Sequence, residues 1–325
     1  MKPDRIESIL FLQKAEVLPL QKPAVVEAIR RELPGAGVTT CGSAEDVPEG
    51  GGFDAVIAPT LPWLPQALSR LARYDWIHFL SAGVEKIWDM PFPKDGVLLT
   101  KSSGVHGSPM SEFAIGAMLH FAKSFDQFVE QSRERVWNRV WLDELDGRTV
   151  TIIGMGHVGG AIARRARAFG MNVIGVQRTP RDTPGVATTV GIEQLPNVLP
   201  HTQYLVVCLP LTPDTEGLVD DVLLAQLPAG AVLVDISRGG VVRQGAVVDA
   251  LKRGNLRGAA LDVFEEEPLP PTSPLWGKPS ILLTPHVSGT SPRYMEKAIE
   301  VFIANAKQLL AGLPAMTPVD IERRY

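Results

Sequence analysis

Short apolar runs alternate with helix-like stretches through the first hundred residues. The apolar runs, which we interpret as strands, are residues 8–12, 55–58, 76–80 and 97–100. Residues 23–32 and 64–72 instead have apolar positions at helical spacing. Strands that are apolar throughout and are separated by helices are typical of a parallel sheet covered on both faces. This part of the chain is therefore predicted to form an α/β unit.

The same alternation restarts at Thr149 with stronger signals. The predicted strands of this second part are residues 150–153, 173–176, 204–207, 232–235, 259–261 and 281–283. Because strands and helices again alternate, this part also predicts a parallel sheet with helices on both faces. The chain as a whole is predicted to be an α/β protein with two units of unequal length.

Two long amphipathic segments flank the second unit. In residues 108–131, Ser108 is placed as the N-cap and Pro109 at the first helical position. We interpret this segment as one helix that leads from the first unit into the second. Residues 293–310 have the pattern of a single helix, which in a two-domain chain is expected to return and pack on the first unit.

The composition is that of an ordinary soluble protein. A chain of 325 residues with 45% hydrophobic and 21% charged residues is long enough for two domains of roughly 100 to 200 residues each. It has no apolar run long enough to span a bilayer and no features of a secretory leader, so we expect a cytoplasmic protein without a membrane partner. The formal net charge of -4 argues against nucleic acid as a partner.

Cysteine and histidine placement argues against a metal site. Cys41 and Cys208 are the only cysteines, and both lie beside predicted strands, so they are interpreted as reduced, structural thiols. No cluster of cysteine and histidine has the spacing of metal ligands. We therefore predict no metal.

A glycine motif follows the first strand of the second unit. Gly154, Gly156 and Gly159 form G-x-G-x-x-G between an apolar strand and an Ala-rich helix. The first glycine permits a tight turn, the second admits a pyrophosphate, and the third allows helix and strand to pack closely. The helix N-terminus would add N–H groups and a partial positive charge for the phosphates. A glycine turn without a ligand is the alternative, but the order of strand, turn and helix favours a dinucleotide.

The residues after the next strand bear on the choice of dinucleotide. Where an acidic residue would usually bind the adenosine ribose, the chain has Gln177, Arg178 and Thr179, with Arg181 close behind. A guanidinium can bind a 2′-phosphate that a carboxylate would repel. NADP(H) is therefore the preferred cofactor and NAD(H) is possible, unless these residues are only a solvated turn.

Three further predicted strands of this unit end in segments that carry polar side chains. The first segment supplies Arg238, the second Glu267 and the third His286. Reduction of a 2-oxo acid needs a cation for the substrate carboxylate and carbonyl, and an acid that protonates the developing alkoxide. Arg238 suits the first task and His286 the second, while Glu267 would hold the imidazole in one tautomer and favour its protonated form. Taken singly, each is more often a surface ion-pair residue, a solvated acid or a structural histidine.

The segments GMGHVG, SRGG, DVFEEEP and TPHVSG, in this order, resemble the D-isomer-specific 2-hydroxyacid dehydrogenase family. The resemblance covers nearly the whole chain and implies two Rossmann-like, doubly wound parallel-sheet domains with a cleft between them. A dinucleotide-binding domain, residues 107–288, is inserted into a discontinuous substrate domain, residues 1–106 and 289–325. A homodimer is also implied, with the helix after Pro109 as the expected contact.

The resemblance further implies individual roles. Arg238 would bind and activate the substrate, His286 would be the acid and base with Glu267 as its partner, and Asp262 would contact the nicotinamide carboxamide. The expected cofactor-binding set is Gly154, Gly156, His157, Val158, Gly159, Gln177, Arg178, Thr179, Leu209, Pro210, Thr215, Ile236, Ser237, Asp262 and Gly289. The expected substrate-binding set is Ala82, Gly83, Val84, Arg238 and His286, where backbone N–H groups of the first three would hold the carboxylate.

Departures from the family pattern narrow the substrate. The loop at residues 81–85 reads Ser-Ala-Gly-Val-Glu, where many members have Gly-x-Gly and then Asp or Asn. This favours the glyoxylate and hydroxypyruvate reductase branch, and so a small 2-oxo or 2-hydroxy acid as substrate. An NAD(P)-sensing, corepressor-like binding protein and a formate- or phosphite-type dehydrogenase remain as alternatives, because the same fold serves both.

Other side chains have two interpretations each. His106 either reaches the cleft or caps the helix that follows, and the local structural role is favoured. Trp137 and Trp141 are one helical turn apart, so helical packing is the first explanation. Trp88 and Trp141 are alternatively pocket residues, in this subunit or in a partner.

Overall fold

The computed structural model describes residues 5–322, and the chain divides into two compact units. The first unit holds the chain up to Val105 and again from Ser291, and the second runs from His106 to Thr290. The main sheet of each unit is parallel, and helices lie between many of the successive strands. The predicted α/β class is confirmed.

The first unit is built on a five-stranded sheet with the order β2-β1-β4-β6-β7. Its strands are β1 (Ser8–Leu12), β2 (Gly37–Cys41), β3 (Gly52–Phe53), β4 (Ala55–Ala58), β5 (Arg73–Tyr74), β6 (Trp76–Phe79) and β7 (Leu98–Lys101), and its first helices are α1 (Leu18–Glu32) and α2 (Leu64–Ser69). Strands β3 and β5 form a separate two-stranded sheet. Strands β4 and β6 are buried along their whole length, as expected of central strands covered on both faces.

His78 on β6 is a structural histidine. Its Nδ1 lies 2.7 Å from Thr100 Oγ1 and its Nε2 3.1 Å from Ser102 Oγ. Complete burial lowers the pKa of His78 to about 3, because a charged imidazolium would lose its hydration. The ring is therefore neutral and ties β6 to β7.

The second unit is built on a seven-stranded sheet with the order β10-β9-β8-β11-β12-β13-β14. Its strands are β8 (Thr149–Ile153), β9 (Asn172–Val176), β10 (Thr188–Val190), β11 (Tyr204–Val207), β12 (Ala231–Asp235), β13 (Leu256–Leu261) and β14 (Ile281–Leu283). Its helices are α3 (Gly107–Ala122), α4 (Phe125–Glu134), α5 (His157–Ala168), α6 (Leu195–Val198), α7 (Asp221–Leu224) and α8 (Gln244–Arg253). Because all the strands are parallel, their carboxyl ends share one edge of the sheet.

Helix α9 (Tyr294–Leu310) returns to the first unit, as its amphipathic pattern predicts. It packs against α1, and Phe302 stacks on Trp76 with ring centroids 4.7 Å apart and planes 15° from parallel. Both aromatic side chains are fully buried. This stack anchors the last helix to the centre of the first sheet, since Trp76 begins β6.

The segment after Val105 differs from its prediction in two ways. The helix begins at Gly107 with His106 at the N-cap position, so Ser108 is not the N-cap and instead donates to Glu112 from within the first turn. The side chain of His106 does not cap the helix either, because its Nδ1 lies 3.2 Å from the carbonyl oxygen of Gly289. The single helix predicted over residues 108–131 is also wrong, since Ser124 takes a left-handed conformation between α3 and α4.

The two tryptophans after α4 are not packed in a helix. Residues 136–148 form neither helix nor strand, and the side chains of Trp137 and Trp141 are 96% and 101% exposed. The prediction of helical packing is therefore wrong for both. Their exposure makes this segment an unusual surface, because large aromatic side chains rarely remain uncovered in water.

None of the helices within residues 5–322 combines the length and apolarity that a membrane span requires.

Candidate active site

The turn after β8 requires glycine at two positions, because neighbouring backbone atoms lie too close for a side chain. Gly154 has φ +107, and a Cβ added there would lie 2.7 Å from the carbonyl oxygen of Cys208. A Cβ on Gly159 would lie 1.9 Å from the carbonyl oxygen of Gly154. By contrast, a Cβ on Gly156 would meet no protein atom within 4 Å. The turn is therefore compact on its inner side and open at Gly156, where α5 begins.

Cys208 supports this turn as a neutral thiol. Its Sγ donates to the carbonyl oxygen of Gly154 at 3.0 Å. Burial, with a smaller contribution from the carboxylate of Asp235, raises the pKa of Cys208 to about 12. A thiol that holds its proton is a hydrogen-bond donor and a poor nucleophile, which agrees with the structural role expected from the sequence.

The first three residues after β9, Gln177, Arg178 and Thr179, are polar and include no carboxylate. Gln177 Nε2 donates to the carbonyl oxygen of Arg181 at 3.1 Å. Arg178 Nη2 lies 3.3 Å from the carboxylate of Asp214, and both side chains are mostly exposed. An ion pair so open to water is weak, so Arg178 can exchange this partner for a phosphate at little cost.

Hydrogen bonds of the Thr215 side chain hold the loop after β11 in its conformation. Its hydroxyl donates to the carbonyl oxygen of Pro210 at 2.7 Å and accepts from the backbone N–H of Thr212 at 2.8 Å. Leu209 packs over the glycine turn, since its Cδ2 lies 3.1 Å from a Cβ placed on Gly154. These contacts fix the loop beside the turn.

His286 and Glu267 form a direct pair. Glu267 Oε2 lies 2.9 Å from His286 Nδ1, and Glu267 Oε1 accepts from the backbone N–H of Phe264 at 3.1 Å. The imidazole is thus held through Nδ1, and Nε2 is the nitrogen available to a ligand. His286 itself has φ 53, a left-handed conformation that is uncommon outside glycine. About half of its side chain is exposed.

Asp262 holds the turn that carries His286. Its Oδ1 accepts from Thr284 Oγ1 at 2.6 Å and from the backbone N–H of Val287 at 2.8 Å, and its Oδ2 accepts from the backbone N–H of Ser288 at 2.9 Å. The backbone N–H of His286 also donates to the carbonyl oxygen of Asp262 at 2.9 Å. This carboxylate is fully buried, and its expected contact with a nicotinamide carboxamide stays a prediction.

Arg238 follows β12 in a turn with little room to move. Its Nη1 donates to the carbonyl oxygen of Ser237 at 2.8 Å. A Cβ on the next residue, Gly239, would lie 1.7 Å from the carbonyl oxygen of Phe264. The turn that carries Arg238 is therefore pressed against the segment that leads to Glu267.

The residues that the sequence predicts for the site differ in solvent exposure and in the unit to which they belong. Those with solvent-accessible surface beside the glycine turn and the neighbouring loops are Gly156, His157, Val158, Gln177, Arg178, Thr179, Leu209, Pro210, Thr215 and Gly289. Ile236, Ser237 and Asp262 are almost completely buried, and their expected contact with the cofactor stays a prediction. Arg238, Glu267, His286 and the glycine turn all belong to the second unit, while residues 82–84 belong to the first. Sequence reasoning missed Asp235 and Gly239, whose contacts join segments distant in the chain.

Within residues 5–322, no group of three or more His, Cys, Asp or Glu side chains is placed to hold a metal ion.

Comparison with known proteins places these features in one family. Residues 115–288 match the family model described as D-isomer specific 2-hydroxyacid dehydrogenase, NAD binding domain. Glyoxylate/hydroxypyruvate reductase A of Yersinia enterocolitica is 31% identical over 273 residues, which cover 82% of this chain and 87% of the relative. The Serratia proteamaculans protein of the same name is 32% identical over 274 residues, with the same coverage.

Solved structures give the same result. The NADPH-dependent glyoxylate/hydroxypyruvate reductase of Sinorhizobium meliloti, in complex with NADP and sulfate, superposes with a TM-score of 0.83 at 28% identity, over 98% of this chain and 99% of that one. A D-isomer specific 2-hydroxyacid dehydrogenase from Xanthobacter autotrophicus, in complex with NADPH and MES, also gives 0.83, at 30% identity over 98% and 100% of the two chains.

Proposed function

Because this chain belongs to the D-isomer specific 2-hydroxyacid dehydrogenase family, we propose that it is an NADP(H)-preferring oxidoreductase that transfers a hydride between the nicotinamide and a small 2-oxo or 2-hydroxy acid. Glyoxylate and hydroxypyruvate are the favoured substrates, as in the names of the relatives. The observation that carries the proposal is the 2.9 Å pair between Glu267 and His286, in the same unit as Arg238.

A nicotinamide dinucleotide fits the glycine turn. The open side at Gly156 and the first N–H groups of α5 offer room and donors for a pyrophosphate. The segment 177–179 contributes a guanidinium and no carboxylate, which suits a 2′-phosphate. When bound, NADPH supplies the hydride, and NAD(H) is a possible substitute.

Three side chains of the second unit are assigned to substrate binding and proton transfer. The guanidinium of Arg238 binds the substrate carboxylate and polarises the carbonyl group, so that it stabilises negative charge on the carbonyl oxygen. His286 donates the proton from Nε2 to this oxygen in reduction and accepts it in oxidation. Glu267 keeps the proton on Nδ1 and balances the charge of the imidazolium.

The loop after β6 has donors for the substrate carboxylate. Among the described residues, no acceptor engages the backbone N–H groups of Ala82, Gly83 or Val84. The hydroxyl oxygen of Ser81 is buried and has no hydrogen-bond partner within the same residues. A buried donor without a partner, such as the Ser81 hydroxyl, costs free energy unless a ligand satisfies it. This supports the proposal that the loop binds substrate.

We assign residues 107–288 to cofactor binding and residues 1–106 and 289–325 to the substrate domain. The small organic acid is the proposed partner, in a cytoplasmic protein with no nucleic-acid role. The negative net charge and the two unpaired cysteines support these assignments.

Initial-rate assays test the function directly. The purified protein is given glyoxylate, hydroxypyruvate, pyruvate or phenylpyruvate, with NADPH and NADH in parallel. Turnover of glyoxylate and hydroxypyruvate with a bias toward NADPH is expected. No turnover on the whole panel, despite nucleotide binding, would contradict the proposal and favour a nucleotide sensor or another hydride donor.

The bias toward NADPH depends on Arg178. Because its exposed partner Asp214 competes only weakly, Arg178→Ala is expected to raise KM for NADPH about tenfold, the effect of one charge-assisted contact, while KM for NADH changes less than about twofold. Steady-state kinetics with both cofactors measure this difference. Arg253→Ala removes an exposed guanidinium on α8 and serves as the control. An equal effect of Arg178→Ala on both cofactors would refute the specificity argument.

The proposed homodimer is supported by the apolar surface that begins at α4. Five uncharged, apolar side chains of this surface are about half exposed or more: Phe125, Val129, Val136, Trp137 and Trp141. Contact of such a patch with water is unfavourable. A second copy of the chain would cover them.

Replacing both Trp137 and Trp141 with Asp is expected to give a monomer, because two buried charges at an interface cost more than a typical dimer can supply. Size-exclusion chromatography with light scattering measures the mass. Val222→Asp changes an exposed apolar residue on α7 and is expected to leave the mass unchanged. A double variant with the mass of the parent protein would exclude this surface as the interface.

A further inference from the structure

Strand β12 ends in a carboxyl group that has no place in the chemistry described above. Asp235 is only 3% exposed. Its Oδ1 accepts two hydrogen bonds from one residue, the backbone N–H of Ser237 at 3.0 Å and the hydroxyl of Ser237 at 2.5 Å. These two bonds close the turn immediately before Arg238.

The far side of the same turn is fixed by contacts of its own. The carbonyl oxygen of Arg238 accepts from the backbone N–H of Val241 at 3.1 Å, and Gly239 touches the backbone of Phe264 so closely that no side chain fits. With the turn confined on this side, the Asp235 carboxyl decides the direction in which the chain leaves β12.

A second buried carboxyl group plays the same part on the next strand. Asp262 hydrogen-bonds the turn that carries His286, and its backbone N–H donates to the carbonyl oxygen of Asp235 at 3.0 Å. The turns that carry the guanidinium and the imidazole are therefore built on adjoining strand ends, each by one buried carboxyl group. The separation of the two functional side chains depends on both.

We propose that Asp235 is a positioning residue: through Ser237 it fixes the turn that carries Arg238, and so sets where the substrate carboxylate binds. This inference rests on the proposed function, because Arg238 meets a substrate only there.

Asp235 changes its charge close to neutral pH. Burial, opposed by the Ser237 bonds and increased by the nearby Asp262, raises the pKa of Asp235 to about 7. The groups that face it are the neutral thiol of Cys208, which follows β11, the Asp262 carboxyl, which follows β13, and Ser237 from its own turn. The protonated and the ionised forms both keep Oδ1 as an acceptor for Ser237, so the turn is held in either form.

The experiment compares Asp235→Ala with Asp235→Asn in the NADPH-bound enzyme. Asp235→Ala loses the acceptor, and KM for glyoxylate is expected to rise about tenfold or more, with a smaller change in kcat. Asp235→Asn retains an oxygen acceptor and is expected to restore KM to within about threefold of the parent protein at pH 6.

Asp220→Ala is the matched control. Asp220 caps α7 by accepting from the backbone N–H of Leu223 at 2.9 Å, a bond similar to that of Asp235 but away from Arg238. Its loss is expected to lower Tm and leave KM unchanged. If Asp235→Ala behaved in the same way, with a lower Tm and an unchanged KM, the positioning role would be refuted. Equal KM values for the Ala and Asn variants would refute it as well.

A second measurement does not need turnover. Hydrogen exchange of the backbone amides at residues 236–240, followed by mass spectrometry with NADPH bound, is expected to be faster in Asp235→Ala and restored in Asp235→Asn. Unchanged exchange in Asp235→Ala would overturn the proposal even in an active enzyme. If the parent protein reduced no 2-oxo acid, the proposed function would fail, while the exchange data would still decide whether Asp235 fixes the turn.

Discussion

Replacing Arg238 with alanine is expected to lower kcat/KM for glyoxylate by about a thousandfold, because in the proposed mechanism one guanidinium both binds the carboxylate and stabilises charge on the carbonyl oxygen. The dissociation constant for NADPH is expected to change by less than about twofold. The glycine turn proposed to bind the cofactor follows β8, whereas Arg238 follows β12, so the turn keeps its own contacts in the variant. Steady-state kinetics and a fluorescence titration with NADPH measure the two quantities separately. The loss should appear in kcat as well as in KM, because the charge on the carbonyl oxygen develops only in the transition state.

Two variants show whether the effect is specific. Arg238→Lys keeps the positive charge but not the planar fork that binds a carboxylate through two bonds, so it should recover only part of the lost activity. Arg243→Ala removes an exposed guanidinium further along the same segment and is expected to have parent-like kinetics. Unchanged turnover in Arg238→Ala would remove Arg238 from the mechanism.

The central strands of both sheets are predictable from the sequence because they are covered on two faces and are therefore apolar at most positions. The edge strands β2 and β10 lack this signal. Most positions of β2 and the first two of β10 are exposed or only half-buried, since one side of an edge strand has no neighbouring strand. Neither strand could be recognised from a continuous apolar run.

The break between α3 and α4 is a tertiary feature. The amphipathic pattern runs on past Ser124, and a serine with φ 49 has no distinctive sequence signal, because left-handed conformations are usually taken by glycine or asparagine. The periodicity of Trp137 and Trp141 was equally uninformative, because the same spacing occurs by chance in an extended segment.

The polar residues of the site were predictable for a geometric reason. Parallel strands place their carboxyl ends at one edge, so side chains that follow different strands can meet, and Glu267 indeed lies beside His286. The supporting contacts follow no such rule. The burial of Asp262 beneath the His286 turn and the contact of Gly239 with Phe264 both depend on how two turns pack against each other. Residue type and sequence spacing do not specify this packing.

His286→Asn is expected to lower kcat for glyoxylate reduction by about a thousandfold, within the range for loss of a general acid. Asparagine is suitable because it tolerates the left-handed conformation of residue 286 better than most residues, and because the backbone bond to Asp262 remains. The KM for NADPH should change little. Rapid-quench measurement of a single turnover separates the chemical step from product release and tests whether the chemical step is the one that slows.

Glu267→Gln shows whether the carboxylate acts through the imidazole. Alone, it is expected to lower kcat by about a hundredfold, because the neutral amide no longer balances the charge of the imidazolium. In the His286→Asn background the same change is expected to cost less than about twofold, since residues that act as a unit are strongly non-additive. A full, additive loss in the double variant would mean that Glu267 contributes to catalysis independently of His286. The 2.9 Å contact would then be a structural ion pair rather than part of the proton path.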